Sequence, residues 1–150
     1  AYCWPEMPER FARLETAIAM LGGRGVDLVK ADAAAWVAER LAEPQAAGVT
    51  RVLMHSVVWQ YLPEATAAGV RDAMAEAGRL ATAERPIGWV MVEPDRSLAR
   101  HVIRVRSWPG ADRWQVIGTA HAHGGWIEPG LPPQGEAGIA LPEAAVSRLN

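Results

Sequence analysis

Apolar residues recur along this chain in two rhythms, and the changeover between them marks out the elements. In "WPEMPERFARLETAIAMLGG" Met7, Phe11, Leu14, Ile18 and Leu21 return at steps of four and three, the spacing of one helix face. Pro5 and Pro8 are admissible only in the first turn of that helix, and Gly22 and Gly23 stop it. "VDLV" over 26–29 predicts a short strand. Asp32 then stands where an N-cap belongs, ahead of "AAAWVAERLAE", whose Trp36, Val37 and Leu41 share a face. "TRVLMHSVVWQYL" predicts a second strand over about 51–57, apolar on both faces as a parallel strand covered by helices on each side is. From Glu64 to Thr82 the chain is rich in alanine, with Val70, Met74, Ala77 and Ala81 in helical register. "IGWVMVEP" over 87–94 is another two-sided apolar strand, ended by Glu93 and Pro94.

Beyond it the period shortens to two. "HVIRVRSW" and "RWQVIGTAHAH" alternate and are separated by "PGAD", a turn signal, so they predict a β-hairpin. If Trp108 and Arg113 flank the loop, Arg104 and Arg106 share a polar, solvated face with Gln115, Ile117, Thr119, His121 and His123. Ile103 and Val105 then share the apolar face with Trp114, Val116 and Gly118. After Trp126 the chain is rich in Pro and Gly, and "LPEAAVSRLN" predicts a short closing helix.

Strand, helix, strand, helix, strand and hairpin together predict a Rossmann-like open α/β sheet: parallel strands with helices on both faces and an antiparallel C-terminal hairpin. Ligands of such sheets bind beyond the carboxyl ends of the strands, near the point where strand order reverses. That rule directs attention to "HSVVWQYLP", where an apolar strand gives way to polar groups. His55, Ser56 and Tyr61 follow its apolar part, Glu93 ends the next strand, and Asp32 follows the first.

Composition narrows the classes of function. With 150 residues, half of them hydrophobic, the chain reads as one domain able to bury roughly 70% of its unfolded surface. A formal net charge of -2 offers no basic footprint for nucleic acid or an anionic membrane surface. No apolar run approaches the ~20 residues that a membrane-spanning helix needs. Cys3 is the only cysteine, so no internal disulfide forms, and a reducing, cytoplasmic location is expected. The chain opens without methionine on patterned sequence, which suggests the C-terminal part of a longer protein.

The segments "WPEMPERFARLETAIA", "KADAAAWV", "VLMHSVVWQYLP" and "HGGW", in this order, resemble the bacterial family called domain of unknown function 2332 over roughly residues 1–130. The resemblance implies a fold similar to the class I S-adenosylmethionine-dependent methyltransferases, with no established reaction. Under that fold Asp32 would lie near the cofactor adenine, with Ser56 and Glu93 as further cofactor contacts. His55 would act as a base or hydrogen-bond partner beside the methyl donor, and Trp59 or Tyr61 would offer an aromatic surface. Two parts of such a site are missing from the sequence: a glycine-rich turn between the first strand and its helix, and an acid after the next strand. "GGRG" at 22–25 follows a helix and precedes a strand, the reverse of the required order. Alone, the chain is therefore expected to hold no cofactor and to be inactive, with S-adenosylmethionine reserved for the full-length protein. A sheet lacking central strands would also favour a homodimer.

Two other readings stand beside this one. The sheet could be a non-enzymatic scaffold for association or small-ligand binding. His121 and His123, alternating on a strand, could instead serve a metal-dependent hydrolase if His101, Glu93 or Glu128 supplied a third ligand, although nothing in the spacing forces a metal site. Ser56 beside His55 does not make a nucleophile, since adjacent strand residues point to opposite faces and no strand-to-helix elbow is present. Structural roles also suffice for single residues: His55 bonded to a carbonyl, Asp32 as a cap, Glu93 paired with Arg96 or Arg100.

Overall fold

The computed structural model describes residues 8–22, 27–110 and 113–130, and the chain divides into two units, 1–31 and 32–150. In the first unit α1 runs from Pro8 to Leu21. Its opening proline sits where a missing N–H breaks no helical bond, and Thr16 Oγ1 donates back to the Ala12 carbonyl at 2.8 Å. Met7 and Pro5 lie outside the described residues. Asp27, Leu28 and Val29 are not in a strand, contrary to the expectation for 26–29. An extended segment becomes a strand only when its backbone finds a ladder partner, and among the described residues none pairs with these three.

The second unit contains α2 (Ala33–Ala42), β1 (Arg51–Ser56), α3 (Glu64–Leu80), β2 (Ile87–Asp95), β3 (Arg100–Trp108), β4 (Gln115–Ala120) and β5 (Ile127–Pro129). Asp32 starts α2 by accepting the Ala34 and Ala35 amides at 3.0 and 3.1 Å. Arg51 ends it, its guanidinium donating to the carbonyls of Leu41 and Glu43 at 3.1 Å, where a cation also meets the negative end of the helix dipole. α2 and α3 approach closely at Gly69, where a Cβ would lie 2.8 Å from that of Ala34.

The strands form one five-stranded sheet in the order β1-β2-β3-β4-β5. Only β1 and β2 are parallel, joined by the α3 crossover, and every other pair is antiparallel. The parallel sheet expected from sequence thus reduces to one pair, and among the described strands the order never reverses, so no switch point exists. Within this unit both described helices, α2 and α3, lie on one face, against the expectation of helices on both. Val37 of α2 and Val70 and Met74 of α3 pack with Ile87, Trp89, Met91 and Trp108 in one core. On the other face Val52 and Met54 are 51% and 60% exposed. Two-sided apolarity marks β1 and β2 as strands with two hydrophobic faces, but does not say what covers each.

The hairpin forms with a register shift between Ile103 and Arg104. Val102 faces Thr119 and Ile103 faces Gly118, as predicted, but Arg104 lies opposite Val116 instead of Ile117, and Val105 opposite Gln115. A bulge of one residue exchanges faces on one side of itself only. Here the extra residue, Ile117, is on β4, so Val116 joins the face of Val102 and Arg104 while β3 keeps its alternation. That face of β3, expected to be solvated, lies with Trp89, Met91 and Glu93 on the helix-covered side, and Arg104 is 5% exposed there. β5, unforeseen, adds to β4 so closely that a Cβ on Gly118 would sit 2.6 Å from the Glu128 carbonyl oxygen. The closing helix expected at 141–150 lies outside the described residues.

Candidate functional site

β1 and β2 end together, and their parallel register places His55 beside Met91. Glu93, two residues further along the same face, reaches back diagonally, and His55 Nδ1 and Glu93 Oε1 are 2.8 Å apart. The Glu93 side chain is fully buried and that of His55 is 10% exposed. Past Ser56 the Val57 amide still donates to the Val92 carbonyl at 3.0 Å. Val57 then takes a left-handed conformation with φ of 52°. This turn aims the next two amides inward: Val58 and Trp59 donate to the same Glu93 Oε1 at 3.1 and 3.2 Å.

That geometry assigns the ring. An oxygen already accepting two N–H bonds faces Nδ1, so in a neutral imidazole Nδ1 carries the hydrogen and Nε2 the lone pair. His55 Nε2 and Glu93 Oε2 are buried without a hydrogen-bond partner. The ring stacks on Trp59 at 5.0 Å between centroids and lies against Trp89, which meets Trp114 edge-on at 4.9 Å. Two tryptophans thus wall the dyad, with Trp114 behind Trp89, and a His–carboxylate pair held this way is suited to accept a proton or a hydrogen bond at Nε2.

On the same face of the sheet lies a second pair, a buried arginine with a half-buried aspartate, which sequence reasoning did not find. Arg104 Nη2 bonds Asp95 Oδ2 at 2.6 Å. Burial raises the Asp95 carboxyl, but the Ser97 hydroxyl and the Arg104 guanidinium outweigh it and hold the group below its ordinary value of 3.8. The available signal was Asp95 placed directly after Glu93-Pro94 on a strand, but its arginine partner could be named only once β2 and β3 were paired and their covered face known.

Of the residues singled out from sequence, the structure brings together His55 and Glu93. Ser56 is exposed on the opposite face of β1 from His55, and Tyr61 is 73% exposed in the turn at Trp59–Tyr61. Asp32 caps α2, with its other oxygen accepting Thr66 Oγ1 at 2.9 Å. The Ala35 amide and then the Thr66 hydroxyl hold its carboxyl below the usual range. Glu93 turns to His55 and not to Arg100, which bonds Glu128 at 2.9 Å.

The hairpin histidines do not alternate on a strand. They follow β4 in a turn, exposed, with His121 Nδ1 accepting the His123 amide at 3.2 Å. Among the described residues no three His, Cys, Asp or Glu side chains converge as a metal site would require.

An S-adenosylmethionine site fits these residues poorly. Asp32, the position matched to the adenine, spends both carboxylate oxygens on α2 and Thr66 at the surface, and no glycine-rich strand-to-helix turn adjoins β1 or β2. We therefore derive no step through that cofactor. An apolar cleft of about 230 Å³, lined by Trp36, Leu41, Val52 and Met74 among others, lies by the start of β1, away from the dyad.

No curated protein and no solved structure matches the chain. The profile of DUF2332, described as an uncharacterized protein conserved in bacteria, matches residues 1–128. With most of its length matched in this way, the chain belongs to the DUF2332 family.

Proposed function

We propose that this chain carries the proton-handling part of a small-molecule site, in which Glu93 fixes the His55 ring and Nε2 receives a proton or a hydrogen bond from the bound molecule. The observation that supports this most is the bonding of one Glu93 oxygen to His55 Nδ1 and to two backbone amides, with Nε2 buried and unpartnered. A histidine serving only packing would have no need of so many constraints on its acceptor, since one carbonyl suffices to satisfy Nδ1. In this reading a methyltransferase-like fold and S-adenosylmethionine belong to the family protein only if a glycine-rich turn and a ribose-binding acid accompany the residues of this chain.

Nitrogen-15 NMR of the imidazoles tests the assignment. His55 should show a protonated Nδ1 and a bare Nε2. A ring protonated at Nε2 alone would remove the proposed acceptor. Calorimetric titration of intact family protein with S-adenosylmethionine tests the cofactor separately, and the absence of heat and of a thermal shift would reject it.

A second reading, association of two copies, draws on β1. Among the described residues this strand is the end of the sheet and pairs on one side only, and its Val52 and Met54 are exposed. An open edge invites another strand, and after Arg51 β1 carries no fixed charge, proline or bulge to block one. Sedimentation should then show a dimer that Val52→Lys dissociates, and a monomer at all concentrations would exclude it.

A further inference from the structure

The dyad has a buried neighbour whose purpose packing does not explain. Arg104 lies opposite Met91, and Asp95 lies opposite Arg100, on the same face of β2 and β3. At about 3.4 Å per residue their rows are about 14 Å apart along the sheet. The side chains nevertheless meet at 2.6 Å, so they converge on the row between, which is that of Glu93 and Val102. The pair thereby spans the row of the fully buried carboxylate, without a direct ion pair to it. Both are incompletely bonded: Arg104 Nη1 and Glu93 Oε2 have no hydrogen-bond partner. A lone carboxylate in such surroundings is costly unless a cation and hydrogen bonds compensate it. Three donors meet Oε1, and none meets Oε2.

We infer that Arg104, held in place by Asp95, is a positioning residue for Glu93: its buried charge keeps the carboxylate in the dyad, with Oε1 turned to His55, Val58 and Trp59. This rests on the proposed role of His55 and extends it to the residues that maintain it. Asp95 has a matching part. It fastens the guanidinium and also accepts Ser97 in the turn between β2 and β3, so the hairpin turn and the dyad share one arginine.

The test uses the whole chain and compares Arg104→Met/Asp95→Asn with Arg104→Lys. The double variant removes both charges so that no buried aspartate is left unpaired. Amide exchange at Val58 and Trp59 reports on Glu93, with Val70 and Met74 in α3 as reference amides that any general loosening would also move. In the double variant Val58 and Trp59 should exchange about tenfold faster relative to those references, a change of 1.4 kcal/mol. The His55 signal should shift from the Nδ1–H form towards the Nε2–H form, and Arg104→Lys should restore both. Unchanged relative exchange in the folded double variant, or equal acceleration at all four amides, overturns the inference. A wild-type His55 protonated at Nε2 alone instead refutes the role of the dyad, whatever the exchange data show for Arg104.

Discussion

Val57 and Glu93 determine each other's conformation: the valine adopts φ of 52°, and the two amides that follow it both end on the glutamate's Oε1. A β-branched residue in the left-handed region is a strained one, at a cost of roughly 1–3 kcal/mol. The strain turns the chain from β1 into the site, so backbone donors and the imidazole converge on one oxygen. Val57→Gly should therefore relieve more strain than the about 1 kcal/mol of added chain entropy that glycine brings. Urea denaturation should show equal or greater stability than wild type, with the His55 tautomer unchanged. A clear loss of stability would mean that the valine side chain matters more than its backbone.

Removing the acceptor itself should be severe. Glu93→Ala strands His55 Nδ1 and two amides in a buried place and is expected to cost about 3–5 kcal/mol. Glu93→Gln keeps one carbonyl oxygen for the amides and should cost distinctly less. Chemical denaturation of the two variants ranks them, and equal losses would contradict the hydrogen-bond account.

Packing on the helix-covered face predicts a steric effect at Gly78. A Cβ there would approach Trp108 Cε2 to 2.5 Å, and Trp108 is itself part of the core. Gly78→Ala is expected to lower stability by about 1–3 kcal/mol through overpacking. Gly48, with φ of 78° and open space around it, supplies the contrast. There alanine meets only backbone strain, of about 1–2 kcal/mol. Thermal unfolding followed by the near-ultraviolet tryptophan signal should show that only Gly78→Ala perturbs the aromatic environment.

Acid should uncover the Asp95–Arg104 pair. Asp95 is held below 3.8 in the folded chain, so the unfolded state takes up its proton first as pH falls. Its stabilising contribution is therefore complete above about 3.8 and is lost as pH descends through the lower folded value. Asp95→Asn should be less stable than wild type at neutral pH, and the gap should narrow below that point. A constant gap across the acid range would show that the carboxylate's charge is not what stabilises the pair.

The sequence by itself determined the elements whose signals are local. Helical spacing and the Asp32 cap located α2, alanine-rich periodicity located α3, and apolar runs located β1 and β2 within a residue or two. The hairpin followed from alternation around "PGAD". His55 and Glu93 could be named because each stands where an apolar strand turns polar. Tertiary structure alone decided how those pieces meet. Strand direction and order depend on partners far along the chain, so one parallel pair in a mostly antiparallel sheet was not legible, nor was the packing of α2 and α3 on the same face. Nor does alternation say which face of β3 the helices cover, and it is pairing with β2 that places Arg104 in the interior beside the row of Met91. A charged residue is stable there only because Asp95 converges on it from another strand. Glu93 likewise became a site residue through a diagonal contact and a strained turn, and neither exists until β1 and β2 are paired.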